Sequence, residues 1–346
     1  MESSKESLLP EDHESDVSSS RLMQAVQYNG YGAGPSGLKH VKIPIPTVEL
    51  YGILIKIEAA TINPFDWKVQ EGMLWPLFPG KFPHIPGNEL TGEVVDVGTK
   101  VQNFKPGDKV VSRVSPYDGG AFSEYIVCSH TMTVKRPQEI SAEQVAGLPI
   151  AGLTAHWGLT ECAGLKLETS SPCTNILITA ASGGVGHYAV QLAKLANCHV
   201  TATCGPSNVE MVKSLGADEV LDYTTEAGAA LKSPSGKKYD VVLSCAPGIP
   251  SSSFDPHLSE NGIVVDVTPH VNTMLSIALQ KLSFSRKRLV PLLLSPKKEN
   301  LEYLVDLVKE GKLKTVVDSK HSLSNVQEAW AKSIAGHAAG KIIVVP

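Results

Sequence analysis

The run Asn175-Ile-Leu-Ile-Thr-Ala180 is short, apolar and of strand length. His187–Ala196, a little further on, places Val190, Ala193 and Leu195 near the helical period. Between them stand Ala180-Ala181-Ser182-Gly183-Gly184-Val185-Gly186. Set against G-x-G-x-x-G, Ala181 takes the first glycine place, Gly183 the second and Gly186 the third. A missing side chain at Gly183 lets backbone N–H groups approach a pyrophosphate. The following helix start adds its positive dipole, and a glycine at 186 lets helix and strand pack closely. A glycine pattern alone is weak, but strand, loop and helix in this order predict a dinucleotide site at Ser182, Gly183, Gly184, Val185 and Gly186. The next strand predicts which dinucleotide. An NAD site wants an acid about 20 residues after the loop, on the ribose diol. This chain has Thr203-Cys204-Gly205-Pro206-Ser207-Asn208 there, with no acid. Ser207, Asn208 and Tyr223 could hydrogen-bond a 2′-phosphate that an acid would repel, so NADPH is expected; as ordinary turn residues they would do nothing of the kind.

A second group is Asn63-Pro-Phe-Asp-Trp-Lys68. Asn63 suits a helix N-cap and Pro64 the first helical position, so the turn that follows carries Asp66, Trp67 and Lys68 together. Trp67, Trp75, Phe78 and Phe82 are candidates to line a pocket for a flat apolar molecule, against core packing as the ordinary alternative. His156 and Tyr188 flank the glycine loop, where a satisfied core role is the commoner outcome.

The elements that must position these residues fall into two styles. From Leu22 to Leu148 short apolar runs (Met23–Tyr28, Ile53–Ala59, Gly92–Val97) are cut by Pro44, Pro46, Pro79-Gly80 and Lys105-Pro-Gly-Asp108, as in a partly open β-barrel. From about Pro149, strands at 199–203, 219–221, 239–244 and 262–267 alternate with helical windows, the pattern of a doubly wound parallel α/β sheet. Asn300–Lys309 predicts an amphipathic helix and Ser324-x-x-Gln327 a capping box opening another; Lys341–Val345 is a last strand.

Composition removes several classes. Lys plus Arg is 31 against 35 for Asp plus Glu, so bulk charge does not recruit nucleic acid. The longest stretch without Asp, Glu, Lys or Arg, Thr169–Ala193, contains Pro172 and the glycine loop, so it reads as strand, turn and helix and no transmembrane segment is expected. Six scattered cysteines without a C-x-x-C pair fit a reducing compartment and argue against a structural zinc site. Residues 1–20 hold six acids, one lysine and many serines. That is neither an Arg-rich presequence nor an apolar signal, and a disordered acidic tail is expected on a soluble intracellular protein.

The loop Ala181–Gly186, Ile85-Pro-Gly-Asn-Glu-Leu-Thr-Gly92 and Phe104-Lys-Pro-Gly-Asp-Lys-Val110 resemble the medium-chain dehydrogenase/reductase superfamily. Asn63–Lys68, Leu215–Tyr223, Ser233–Asp240 and Ala329–Ile334 narrow the resemblance to its zinc-free quinone-oxidoreductase branch, among plant enone and quinone reductases of the chloroplast envelope. It runs from about residue 22 to Pro346. It implies a GroES-like catalytic domain (21–148 plus 291–346), an inserted Rossmann domain (149–290) and a homodimer. It further implies an enone or quinone substrate, and plastid placement with peripheral envelope association but no cleaved presequence. Lys68 matches the lysine that stabilises the enolate oxygen in related enone reductases; Asn63 and Asp66 belong to the same motif, with Asn63 a candidate nicotinamide contact. Ser207 departs from the arginine usual in relatives. Pro116–Phe122 is also less glycine-rich than theirs.

Zinc-dependent alcohol dehydrogenases of the superfamily are the rival. They carry Gly-His-Glu where this chain has Gly87-Asn88-Glu89, and no cysteine precedes Cys128. Two cysteines and a histidine are therefore not available to hold a catalytic zinc, and no metal site is expected. Without a Lewis acid, hydride delivery to a conjugated acceptor, whose charge spreads over an enolate, is favoured over carbonyl reduction. A dinucleotide-binding protein with little turnover and a peripheral interaction protein remain as alternatives.

Overall fold

The computed structural model describes residues 21–168, 173–269 and 286–346. The acidic segment 1–20 lies outside them. Among the described residues, the first sheet takes β3 (Gly52–Ile62), β4 (Glu89–Val97), β5 (Lys109–Arg113), β6 (Tyr125–Ser129) and β7 (Thr133–Lys135) from one part of the chain. β14 (Val317–Ser322) and β15 (Lys341–Val345) join it from far downstream, in the order β14-β15-β3-β4-β5-β7, with β6 paired to β3. A two-stranded ribbon, β1 (Leu22–Gln27) with β2 (Lys39–Pro44), forms a separate sheet that hydrogen-bonds to the Phe122–Glu124 segment. The second sheet is wholly parallel, ordered β10-β9-β8-β11-β12-β13. Its strands are β8 (Asn175–Ile178), β9 (His199–Cys204), β10 (Glu219–Asp222), β11 (Tyr239–Ser244), β12 (Leu258–Asp266) and β13 (Arg288–Pro291). This is a GroES-like β unit combined with a doubly wound Rossmann unit.

Both units follow from the residue pattern. Ile176, Leu177, Ile178, Val242 and Leu243 are fully buried on neighbouring parallel strands, as expected of a sheet covered on both faces. In the other unit Ile53, Ile55 and Ile57 alternate inward along β3 and meet Phe122 and Trp330 in one core. Trp330, on the helix Val326–Ala335, donates its indole N–H to Gln70 Oε1 (2.9 Å), which ties the downstream segment to the Asn63 motif. The amphipathic helix Lys298–Lys309 packs Leu301, Leu304, Val305 and Leu307 against the cluster that holds Ile176, Tyr188 and Leu153. No helix of the described residues is long and apolar enough to cross a membrane.

One expectation fails. Ser324 and Gln327 form no capping box: the helix starts after Asn325, the last residue of the 3₁₀ turn Leu323–Asn325. Ser324 Oγ lies 2.6 Å from Ser322 Oγ, and the Gln327 amide reaches the His40 ring (3.0 Å) on β2. A tertiary contact has taken the side chain that the local motif assigned to the helix end.

Candidate active site

The glycine loop sits where its composition predicts, between β8 and α2 (Gly186–Leu195); α1 is the helix Pro64–Gln70. Ser182, Gly183, Gly184 and Val185 are half-buried and open on one side, whereas Gly186 is buried. A Cβ on Gly186 would lie 2.3 Å from Ala180 O and 2.6 Å from Ala181 Cα, so only glycine lets α2 seat on the strand end. The α2 N-terminus has no side-chain cap. His187 adds a latch that the sequence did not announce. Its Nδ1–H donates to Gly183 O (2.9 Å), alongside its own backbone N–H (3.1 Å). Burial pushes the imidazole pKa down to about 3, so the ring stays neutral. The latch holds the Gly183 carbonyl on the helix side. The start of α2, uncapped by any side chain and behind a half-open glycine loop, favours an anion, so the loop fits a dinucleotide pyrophosphate. At the end of β9, Tyr223 brings its hydroxyl beside Gly205 and is half exposed. Ser207 is exposed, Asn208 half-buried, and neither side chain forms a hydrogen bond among the described residues. Tyr223 thus meets the turn after β9, a strand that ends without an acid, while Asp222 of β10 faces its last residue, Cys204.

The Asn63 motif opens α1. Asp66 Oδ2 accepts the Asn63 backbone N–H (2.8 Å), fixing the helix start. Asn63 stands at the N-cap, and its side chain turns into a buried polar cluster. Its Nδ2 donates to Glu89 Oε1 (2.7 Å), and its Oδ1 accepts from Lys341 Nζ (2.8 Å). Lys341 Nζ also pairs with Glu89 Oε1 (3.0 Å), Glu89 Oε2 accepts the Ile150 N–H (2.7 Å), and the Thr61 hydroxyl donates to Glu89. Strand register makes this meeting unavoidable. Ala60 faces Leu90 across β3–β4, and Ile342 faces Ile62 across β15–β3, so the next step along each ladder puts Glu89 beside Thr61 and Lys341 beside Asn63. Glu89, Lys341, Thr61 and His187 are site residues that sequence reasoning missed. The available signal was Lys341 itself, a charge heading an apolar strand where a buried cation must find a partner.

Asp66 is 3% exposed, and its Oδ1 has no hydrogen-bond partner among the described residues. Burial pushes its pKa up to about 7; the Asn63 N–H pulls it down, and the Glu89 carboxylate pushes it up again. Asp66 therefore acts through the Asn63 backbone and is half protonated near neutrality. The raised pKa means that the folded chain holds a proton between about pH 4 and 7 that the unfolded chain releases. Its stabilising contribution is full below pH 4 and is lost as pH rises through 7. Asp66→Asn keeps an oxygen for the Asn63 N–H and cannot ionise. Urea midpoints measured from pH 4 to 8 should fall more for wild type than for this variant, and parallel curves would refute the assignment.

Lys68, in the last turn of α1, is half-buried, with Nζ 5.6 Å from the Trp67 ring centroid. Burial lowers its pKa, and no carboxylate pairs with it among the described residues. Of the aromatic candidates, Phe78 packs edge-on to Phe65 (5.0 Å) and lies 5.2 Å from Tyr117, forming an apolar cluster one turn from Lys68. Trp75 is well exposed and Trp67 packs against the barrel core. His156 packs against Tyr303, and Tyr188 shares a hydrogen bond with Thr315 (2.7 Å), so both are held in structural contacts. Asn88 is buried and donates its amide to Ser115 O (2.9 Å). Among the described residues no three His, Cys, Asp or Glu side chains gather as a metal site.

Comparison with known proteins gives the family. Residues 51–138 match the family "Alcohol dehydrogenase GroES-like domain", and residues 215–344 match "Zinc-binding dehydrogenase". The chain is 62% identical over 326 residues to the chloroplast envelope quinone oxidoreductase homolog of Arabidopsis thaliana, covering 94% of this chain and 99% of that protein. It is 33% identical to the Arabidopsis chloroplastic NADPH-dependent alkenal/one oxidoreductase, across 96% of this chain and 81% of the relative. The solved quinone oxidoreductase of Coxiella burnetii superposes with a TM-score of 0.83 at 31% identity, covering 94% of this chain and all (100%) of that one. The chain belongs to the medium-chain dehydrogenase/reductase superfamily, in its quinone-oxidoreductase-like branch, alongside the plant chloroplast envelope homologues.

Proposed function

We propose that this chain is an NADPH-dependent reductase that adds hydride to the activated C=C bond of an α,β-unsaturated carbonyl, or to a quinone, without a metal. The observation that carries the reading is the pairing of an anion-fitted glycine loop with Lys68, a partly dehydrated ammonium left without a carboxylate. The bound dinucleotide supplies the hydride. Ser182–Gly186 would hold its pyrophosphate, and Ser207, Asn208 and Tyr223 its 2′-phosphate. Phe65, Phe78 and Tyr117 exclude water around the flat acceptor. Lys68 donates to the acceptor oxygen as hydride reaches the electron-poor carbon and negative charge builds on that oxygen. Solvent then protonates the neighbouring carbon, leaving a saturated carbonyl. On a quinone the enolate oxygen takes a proton, and the hydrogen added to the ring carbon leaves as a proton while the second oxygen gains one, giving a hydroquinone. The names of the plastid relatives support the same substrate classes and placement in the chloroplast.

The test is NADPH consumption over a panel of alkenals, cyclic enones and quinones with product identification. Deuterium from labelled NADPH should appear on the β-carbon of the enone; label on a carbinol carbon would mean carbonyl reduction and overturn the reading. Cofactor preference is checked separately. With no acid after β9, kcat/KM should favour NADPH over NADH, and equal or better values with NADH would sink the assignment. Ser207→Arg should widen the ratio by about tenfold or more, since a guanidinium grips a phosphate bidentately.

A further inference from the structure

Lys341 is only 2% exposed, and the Glu89 it pairs with is fully buried. A buried ion pair is a poor way to add stability, because desolvation consumes most of the attraction and an apolar pair of similar volume does as well. Its geometry points elsewhere. The lysine stem runs between two glycines: a Cβ on Gly147 would lie 2.8 Å from Lys341 Cγ, and one on Gly184 would lie 3.5 Å from Cδ and 4.0 Å from Nζ. Gly184 belongs to the dinucleotide loop. The same ammonium holds Asn63 Oδ1 at 2.8 Å, at the head of the helix that carries Lys68. One side chain therefore touches the cofactor loop at one end of the site and the Asn63 motif at the other.

The contact also decides which way the Asn63 amide points. With an ammonium on one side and a carboxylate on the other, Oδ1 must face Lys341 and Nδ2 must face Glu89; the flipped amide would oppose donor to donor and acceptor to acceptor. Gly340, at φ 105°, aims the lysine: a Cβ there would meet Val316 O at 2.2 Å.

We propose that Lys341 is a positioning residue, which locks the Asn63 amide and sets the spacing between the dinucleotide loop and the Lys68 helix for hydride transfer. This rests on the function proposed above. The test compares wild type, Lys341→Met, and Lys341→Met combined with Glu89→Gln, all as full chains. Thermal midpoint, NADPH binding by cofactor fluorescence, kcat, KM and the deuterium isotope effect with labelled NADPH are measured. The single variant leaves a buried carboxylate uncompensated and should lose stability. The double variant removes both charges and keeps an oxygen for the Ile150 N–H, so its midpoint should return towards that of wild type. In both, kcat should fall roughly 10²-fold, the cost of a small misplacement, with NADPH dissociation constants within about threefold of wild type and a larger isotope effect. A double variant with restored stability and wild-type kcat would make Lys341 merely structural. Lost NADPH affinity with kcat intact would make it a cofactor ligand instead, and would equally overturn the proposal. Wild type that binds no NADPH would bring down the functional reading itself, a failure visible before any variant is compared.

Discussion

Lys68→Met is expected to lower kcat by about 10²–10³-fold, while the NADPH dissociation constant stays within about threefold of wild type. The ammonium is half-buried and unpaired among the described residues, so what it gains from water is already reduced before substrate arrives. Charge forms on the acceptor oxygen only as hydride moves, which places the interaction in the transition state and its loss in kcat. Methionine keeps most of the stem that packs by Trp67 and deletes only the donor. Single-turnover NADPH oxidation with an enone measures the step directly. The pH profile adds a second reading. Because burial lowers the Lys68 pKa, the wild-type rate should decline on the alkaline side at a lower pH than an ordinary lysine would give, and this limb should vanish in the variant. An unchanged single-turnover rate would remove Lys68 from the chemistry.

Gly186→Ala should damage fold and cofactor binding together. The new methyl group would sit 2.3 Å from one backbone atom and 2.6 Å from another, neither able to swing aside, so α2 must back away from β8. Overpacking of this kind costs about 1–3 kcal/mol, and moving the helix start withdraws the N–H groups from the phosphate. A lower thermal midpoint and at least a tenfold weaker NADPH affinity are expected. Gly183→Ala separates the two effects. There the methyl group meets only Ala180 O, at 3.2 Å, so the midpoint should drop little while the methyl obstructs the pyrophosphate and affinity still falls about tenfold. Fluorescence titration and thermal melts on both variants check this; near-normal NADPH binding by Gly186→Ala would show that the loop is only a tight turn.

Local chemistry was legible in the sequence wherever one short segment contained the whole reason. The apolar run, glycines and helical-period segment from 175 to 195 predicted strand, loop and helix, and Asn63-Pro64 predicted a helix start. The buried cluster was not legible, because Lys341 and Glu89 stand 252 residues apart and meet only through two strand registers. Asp66 looked like a group for substrate chemistry, yet its burial in the first turn of α1 made it a brace for Asn63. His187 read as one more residue of a helical period, and its latch on Gly183 depends on a side chain folding back to its own helix start. Ser324 shows the reverse failure, a valid local signal overruled when Gln327 found His40.

The pairing of β15 with β3 also governs when the site comes into being. A chain emerging from the ribosome presents Asn63 and Glu89 long before residue 341, and until then the barrel lacks the strand that carries their cation. The parallel sheet and its glycine loop, by contrast, take all their strands from residues 175–291. The loop proposed to hold the dinucleotide is thus translated before the strand that would align it. On the function proposed above, hydride transfer would wait on β15 to dock, so the order of synthesis would keep unfinished copies from spending reducing equivalents.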